Sequence, residues 1–334
     1  MTGYTCSSPG KVILAGEHAV VHGHPAIVGA INMRMEMHLR VLENPVYEIN
    51  LPDIPVQVKA STLDSLILQA TDVFPVFNVV YDLLTGNATG AAIDRGFLIE
   101  ARSTIPVSAG LGSSASTCTC LVSVMSRWLG LDLNEDKLLE ISRAAEKTYH
   151  SNPSGIDTAA AVHGGLFLFA SGAIEERITS PVNMDGDIII VDTGIQRNTG
   201  KMVELVKSLM ARDPDFVEKR FEAINDVVQE TWTLFKSGTP DITSLGSLFS
   251  RNQRELEMLN VSVPTIKDII DIGTRFGATG GKLTGAGGGG CVILASPLNK
   301  TQKLMNKLHH YNFNAFKTEF TSTGLECKMM EEGT

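Results

Sequence analysis

The sequence predicts an α+β protein in two domains, and three observations point there. Strand-like runs and helix-like stripes are mixed through the first half, the second half opens on a block of helices, and it closes on strand signals. That order segregates helices from sheet instead of repeating one strand–helix unit. The change falls near residues 171–186, which divides the chain into residues 1–178 and 179–334. With 334 residues and 43% apolar content, each part is long enough to bury a core of its own.

In chain order, the first strand signal is the apolar run at residues 11–15. From residue 33 to 41, Met33, Met35, Met37, Leu39 and Val41 alternate with Arg34, Glu36, His38 and Arg40, the period of an antiparallel strand with one wet face. Residues 97–103 give the next strand, followed by a small-residue apolar helix at 117–129. Asn134 caps a helix reaching about Tyr149, with Leu138, Leu139, Ile141, Ala145 and Thr148 on one side. Strands are predicted at 165–170 and 187–192. Asp213-Pro214 then opens a long helix, since Asp caps and Pro suits the first turn. Val217, Phe221, Ile224, Val228, Thr231 and Phe235 form its stripe; Leu245, Leu248, Phe249, Leu256 and Leu259 form the next. Both stripes read as core packing. A strand at 291–295 follows.

The charge balance excludes some functions. Against 28 Lys and Arg stand 37 Asp and Glu, a net charge of −9, unlike a surface made to neutralise nucleic-acid phosphates. Apolar runs stop at strand length, far short of the roughly 20 residues of a membrane span. Cys6, Cys118, Cys120, Cys291 and Cys327 form no zinc spacing. Their odd number, with no signal peptide in view, predicts reduced thiols in a soluble, cytoplasmic protein.

Three Gly-rich segments carry the chemistry. The first, Pro106-Val-Ser-Ala-Gly-Leu-Gly-Ser-Ser-Ala-Ser116, follows a strand and leads into the helix at 117–129. Free N–H groups at a helix start attract an anion, and Gly110 and Gly112 let the backbone curl around one. The hydroxyls of Ser113 and Ser114 add hard oxygen donors suited to magnesium. A Walker A loop is excluded, because Gly281-Lys282 has Phe276 where the first Gly belongs and Leu283 after the Lys. Gly110, Gly112 and Ala115 formally meet a dinucleotide fingerprint, but no clear βαβ unit frames it. A plain helix-capping turn is the simplest alternative.

The second segment, Gly280-Gly-Lys-Leu-Thr-Gly-Ala-Gly-Gly-Gly-Gly290, stands directly before the last strand signal. So many glycines cost folding entropy, which a backbone in close contact with a ligand would offset; a flexible linker or a bulge is the alternative. The third, Ser8-Pro-Gly-Lys-Val-Ile-Leu-Ala-Gly-Glu-His-Ala-Val-Val-His-Gly23, puts Lys11 at one end of a short strand and Glu17 with His18 past its Gly16 turn. Glu146 ends a helix, and Asn152-Pro-Ser-Gly-Ile-Asp157 turns into the next, which brings two carboxylates from adjacent elements into one region. Singly, each is an ordinary solvated or helix-terminal residue; their company is what argues for a site.

In order and spacing, Pro9-Gly-Lys11 with Gly16-Glu-His18, Gly110-Leu-Gly-Ser-Ser-Ala115 and Lys282-Leu-Thr-Gly-Ala-Gly-Gly-Gly-Gly290 resemble the three motifs of the GHMP kinases, over essentially the whole chain. Gly16 to Gly23 and Asn152 to Asp157 most resemble those members that phosphorylate mevalonate, and a Thr-Asp-Tyr continuation, expected of galactokinases, is missing. The resemblance implies a ribosomal-protein-S5-like N-terminal domain, a ferredoxin-like C-terminal domain and an active site between them. It implies ATP with Mg²⁺ as donor, mevalonate as small-molecule acceptor, no nucleic-acid or membrane partner, and room for a homodimer. Asp157 would be the catalytic base, and Lys11 would stabilise its charge and the γ-phosphoryl. Ser114 and Glu146 would hold the metal. The nucleotide would fall to Pro106, Ser108, Ala109, Gly110, Leu111, Gly112, Ser113, Ser114 and Ala115, and to Gly285, Ala286, Gly287 and Gly288. The acceptor would meet Lys11, Glu17, His18, Asp157 and Thr199, the last within an Arg197-Asn198-Thr199 segment.

Overall fold

The computed structural model describes residues 2–53, 56–86, 95–106, 110–149 and 154–330. The chain begins with two long strands, β1 (Gly3–Ala15) and β2 (Ala26–Leu42), linked through a 3₁₀ turn at Ala19–His22. β3 (Tyr47–Leu51), β4 (Val56–Ala60), α1 (Leu63–Val73), α2 (Val76–Thr85) and β5 (Gly96–Ser103) follow. Then come α3 (Ser113–Trp128), α4 (Glu135–Glu146), α5 (Ile156–His163), β6 (Leu166–Ala170) and β7 (Ala173–Ile178). The second half holds β8 (Gly186–Asp192), α6 (Thr199–Arg212), α7 (Pro214–Lys236), α8 (Ile242–Met258) and α9 (Pro264–Arg275). It ends with β9 (Gly280–Thr284), β10 (Cys291–Pro297), α10 (Leu298–His310), β11 (Asn314–Thr318) and β12 (Glu326–Met330).

Among the described residues two sheets form. The first runs β12-β1-β2-β5-β3-β4, with β6 and β7 branching from β2. The second runs β11-β8-β10-β9 with antiparallel neighbours throughout. Counted within its own half, that order is 4-1-3-2, the ferredoxin-like arrangement. β2 is longer than its alternation predicts because, besides β1, it serves two further partners: Ala26 to Gly29 pair with β6, and Met35 to Leu42 with β5. The first portion is buried on both faces, so no polar residues alternate there to mark it.

One apolar cluster takes in β1, β2, α3, α7, α8 and one face of the second sheet. Successive residues of β8 divide between cores: Ile188 and Ile190 join that cluster, while Ile189 and Val191 pack with α9 and α10 on the other face. The Asn134 and Asp213 caps are as the sequence predicts, accepting from the amides of Lys137 and Phe216.

Two expectations change. A division at residue 178 falls between β7 and β8, yet β12 returns to pair with β1, so the last strand of the second part completes the sheet of the first. The same register sets Cys6 opposite Cys327, and these two are joined as a disulfide, contrary to the expectation of reduced thiols throughout. A pairing across 321 residues of separation leaves no trace in local spacing. Cys118, Cys120 and Cys291 are free and buried. Among the described residues no helix is long and apolar enough to cross a membrane.

Candidate active site

A cleft of about 870 Å³ opens between the two halves, and β1 runs along it. Pro9 lacks an N–H, and β1 slips its register with β2 between Pro9 and Gly10. Gly10 is needed there because a Cβ would sit 2.8 Å from the Leu111 carbonyl oxygen. The Lys11 N–H donates to that same oxygen at 2.8 Å, which ties the loop before α3 to β1. Gly110 and Gly112, at φ +87° and +81°, occupy the left-handed region that favours glycine, and they turn the chain into α3. Gly112 at the N-cap makes no side-chain cap hydrogen bond, and a helix start of this kind attracts an anion. Gly110, Gly112, Ser113 and Ser114 line the cleft. Leu111 and Ala115 are buried in the interior instead. Pro106 is not part of the lining, and Ser108 and Ala109 lie outside the described residues.

Across the cleft, Gly155 at φ +85° starts α5, with Arg143 of α4 packed over it and donating to the Ser154 carbonyl at 3.3 Å. Asn152 and Pro153 of the same turn lie outside the described residues. Asp157 stands in the first turn, its Oδ1 2.9 Å from Lys11 Nζ; the Lys side chain is 3% exposed and the Asp 21%. Glu146, the last residue of α4, is buried and accepts a 2.5 Å hydrogen bond from Thr158 Oγ1. Burial first, and the neighbouring Asp157 charge second, push the Glu146 carboxyl up to about 7. Two carboxylates brought together in this way favour a cation, and with the Ser114 hydroxyl they make a hard-oxygen donor set that fits Mg²⁺. No group of three or more His, Cys, Asp or Glu able to hold a metal occurs among the described residues.

The turn after β1 departs from expectation. Gly16 (φ +101°) permits it, since a Cβ would lie 2.5 Å from Ala26 Cα. Glu17 borders the cleft, but both its oxygens are engaged: Lys282 Nζ binds Oε1, and Asn252 Nδ2 donates to Oε2 at 2.8 Å. Each oxygen of this cleft-lining carboxylate thus already carries one partner within the protein. His18 donates from Nε2 to the Ala286 carbonyl at 2.9 Å, and burial lowers its pKa, so the ring is neutral at neutral pH and does not act as a cation toward a substrate anion. Arg197 provides positive charge: its guanidinium lies against Gly110 and Gly285, where added Cβ atoms would come within 2.5 and 2.8 Å of Nη1. Thr199 opens α6 on the same wall.

The last Gly-rich segment also divides. Gly285 and Ala286 line the cleft. Gly287 and Gly288 instead pack on protein: a Cβ at Gly287 would meet the Val261 carbonyl oxygen at 2.2 Å, and one at Gly288 would meet Met202 Sδ at 2.7 Å. Gly287 is required by close packing on the Val261 backbone, and Gly288 by its positive φ of +71°. Sequence reasoning assigned no role to Thr158, Asn252 or Lys282. Thr158 adjoins Asp157 in the first turn of α5, a legible signal; Asn252 lies within a helix stripe and carries none.

Residues 76–165 match the family model of the GHMP kinases N terminal domain, and residues 233–313 that of the GHMP kinases C terminal domain. A mevalonate kinase of Pyrococcus horikoshii is 31% identical over 303 residues, covering 87% of this chain and 88% of the relative. One from Pyrococcus furiosus is 29% identical over 330 residues, covering 96% and 97%. The crystal structure of the Methanococcus jannaschii mevalonate kinase aligns with a TM-score of 0.83 at 27% identity, covering 95% of this chain and 98% of that one. With both family domains in order around the cleft, the chain belongs to the GHMP kinases, and among them it is most like the mevalonate kinases.

Proposed function

We propose that this chain transfers the γ-phosphoryl group of ATP to the primary hydroxyl of mevalonate, a step of isoprenoid biosynthesis. The observation that carries this reading is the Lys11–Asp157 pair, poised on a cleft walled by two Gly-rich turns and the start of a helix. Phosphoryl transfer asks mainly for positioning and for neutralisation of phosphate oxygens. The amides at the start of α3 and the Arg197 guanidinium serve the phosphates. Asp157 accepts the proton of the acceptor hydroxyl as its oxygen bonds to the γ-phosphorus and the bond to the ADP oxygen breaks. Lys11 offsets charge on both the carboxylate and the transferring group. Ser114 and Glu146 would hold Mg²⁺, which would supply positive charge to offset that of the phosphates. Neutral His18 and the start of α6 at Thr199 face the acceptor side.

The test is a substrate panel. Purified protein with Mg·ATP is offered mevalonate, phosphomevalonate, galactose and homoserine separately, and ADP release is followed. Mevalonate should give the highest kcat/KM by orders of magnitude, because a site that pairs one acceptor's polar groups rejects analogues that leave them unpaired. Preference for another acceptor overturns the substrate and keeps the kinase; binding of ATP with no turnover of any acceptor makes the chain a nucleotide sensor.

A further inference from the structure

Lys282 is fully buried, and all three of its N–H donors have partners. It binds Glu17 Oε1, donates to the Leu283 carbonyl of its own strand at 2.7 Å and to the Ile13 carbonyl of β1 at 3.3 Å. Asn252 of α8 takes the other Glu17 oxygen at 2.8 Å. Thr284 extends the seam, accepting from Ile13 N–H at 2.9 Å and lying 3.1 Å from the Ile13 carbonyl. Directional bonds thus join β9 to Ile13 of β1, two residues beyond Lys11, and β9 and α8 to Glu17 in the turn that follows β1.

Stability alone is a poor reason for this arrangement. Removing two charges from water costs about as much as their attraction returns, and apolar residues of similar volume often do as well or better. Apolar packing already surrounds the seam. What apolar contacts lack is direction: they allow surfaces to slide by fractions of an ångström, whereas a buried ion pair with directional hydrogen bonds fixes one register. The register matters here because His18, next to Glu17, holds the Ala286 carbonyl on the loop that follows β9.

We propose that Lys282, assisted by Asn252, is a positioning residue for phosphoryl transfer. By fixing Glu17 it fixes the His18–Ala286 contact, and so the placement of the Gly285–Ala286 turn relative to Lys11 and Asp157. The proposal rests on the reading above that those two residues carry the transfer.

Two variants test it, Glu17→Gln/Lys282→Met, which removes both charges together, and Asn252→Ala, which removes one donor and leaves the ion pair intact. Thermal midpoint, kcat per folded molecule and KM for ATP and acceptor are measured for each, with single Lys282→Met as the unpaired-charge reference. The double variant should regain most of the midpoint lost by Lys282→Met, yet keep kcat about tenfold or more below wild type with KM for ATP within about threefold. Asn252→Ala should lower kcat about threefold or more with the same split. Wild-type kcat in either folded variant, or a loss explained by the folded fraction alone, overturns the proposal. Wild-type protein in the same assay separates the two readings: if it prefers another acceptor, the functional reading changes and the same ratios are read on that acceptor.

Discussion

Lys11–Asp157 and Lys282–Glu17 join the same two chemical groups in the same part of the molecule, but their surroundings differ. Asp157 keeps a fifth of its side chain exposed toward the cleft. Glu17 is 1% exposed and Lys282 wholly enclosed, all three Lys282 donors have partners, and each Glu17 oxygen holds one within the protein. A charge that is to act on a ligand must be reachable from the cleft, and one enclosed among protein partners mainly holds its neighbours. Residue type does not separate a pair that faces the cleft from one enclosed within the protein; exposure does.

The sharpest way to break the comparison is at the open pair. Asp157→Asn should lower kcat by about 10²-fold or more and leave the Mg·ATP-induced thermal shift near that of wild type. Near-normal turnover would reduce Lys11–Asp157 to the same holding role as the closed pair.

The glycines contrast in the same way. Gly287→Ala should cost about 2 kcal/mol or more of stability, since the new Cβ would run into the Val261 carbonyl oxygen at a φ of +78°. Gly112→Ala meets the flexible Lys11 Cγ at 3.0 Å, so its larger effect should be on nucleotide use. Thermal melts with and without Mg·ATP distinguish the two, and equal loss of ligand stabilisation in both would return Gly287 to the site.

Glu146 links site and stability through protons. Its carboxyl is raised to about 7, so between about 4.5 and 7 the folded chain holds a proton that the unfolded chain has released. Stability of the metal-free protein should therefore fall as pH rises through that window, with the penalty complete above it. Glu146→Gln should remove this contribution, as midpoints measured from pH 5 to 8 with EDTA will report; an unaltered slope would assign it elsewhere.

The smallest effect belongs to a third kind of pair. Arg251 and Glu230 are bound in a two-pronged contact but are about half exposed, and such pairs contribute little. Glu230→Gln should change stability by less than about 1 kcal/mol in urea melts, with kcat unaltered.

Most of the site was legible in the sequence because it is built from local signals. Glycines that force a turn, a helix start beyond them and a carboxylate in a first turn all lie within a few residues of one another, so Gly110 to Ser114 and Gly155 to Asp157 announced their geometry. The Asn134 and Asp213 caps, the helix stripes and the alternation of residues 33–41 are local in the same sense. Tertiary structure decided what depends on partners far along the chain. It buried Ala26 to Ala30 on both faces and so erased their alternation, drew β12 back to β1 with Cys327 opposite Cys6, and packed Gly287 and Gly288 against protein. It also closed Glu17 with Lys282 and Asn252, more than 230 residues away. A sequence states which groups a residue carries, but how many of their hydrogen bonds remain for a ligand is settled only when the distant partners arrive.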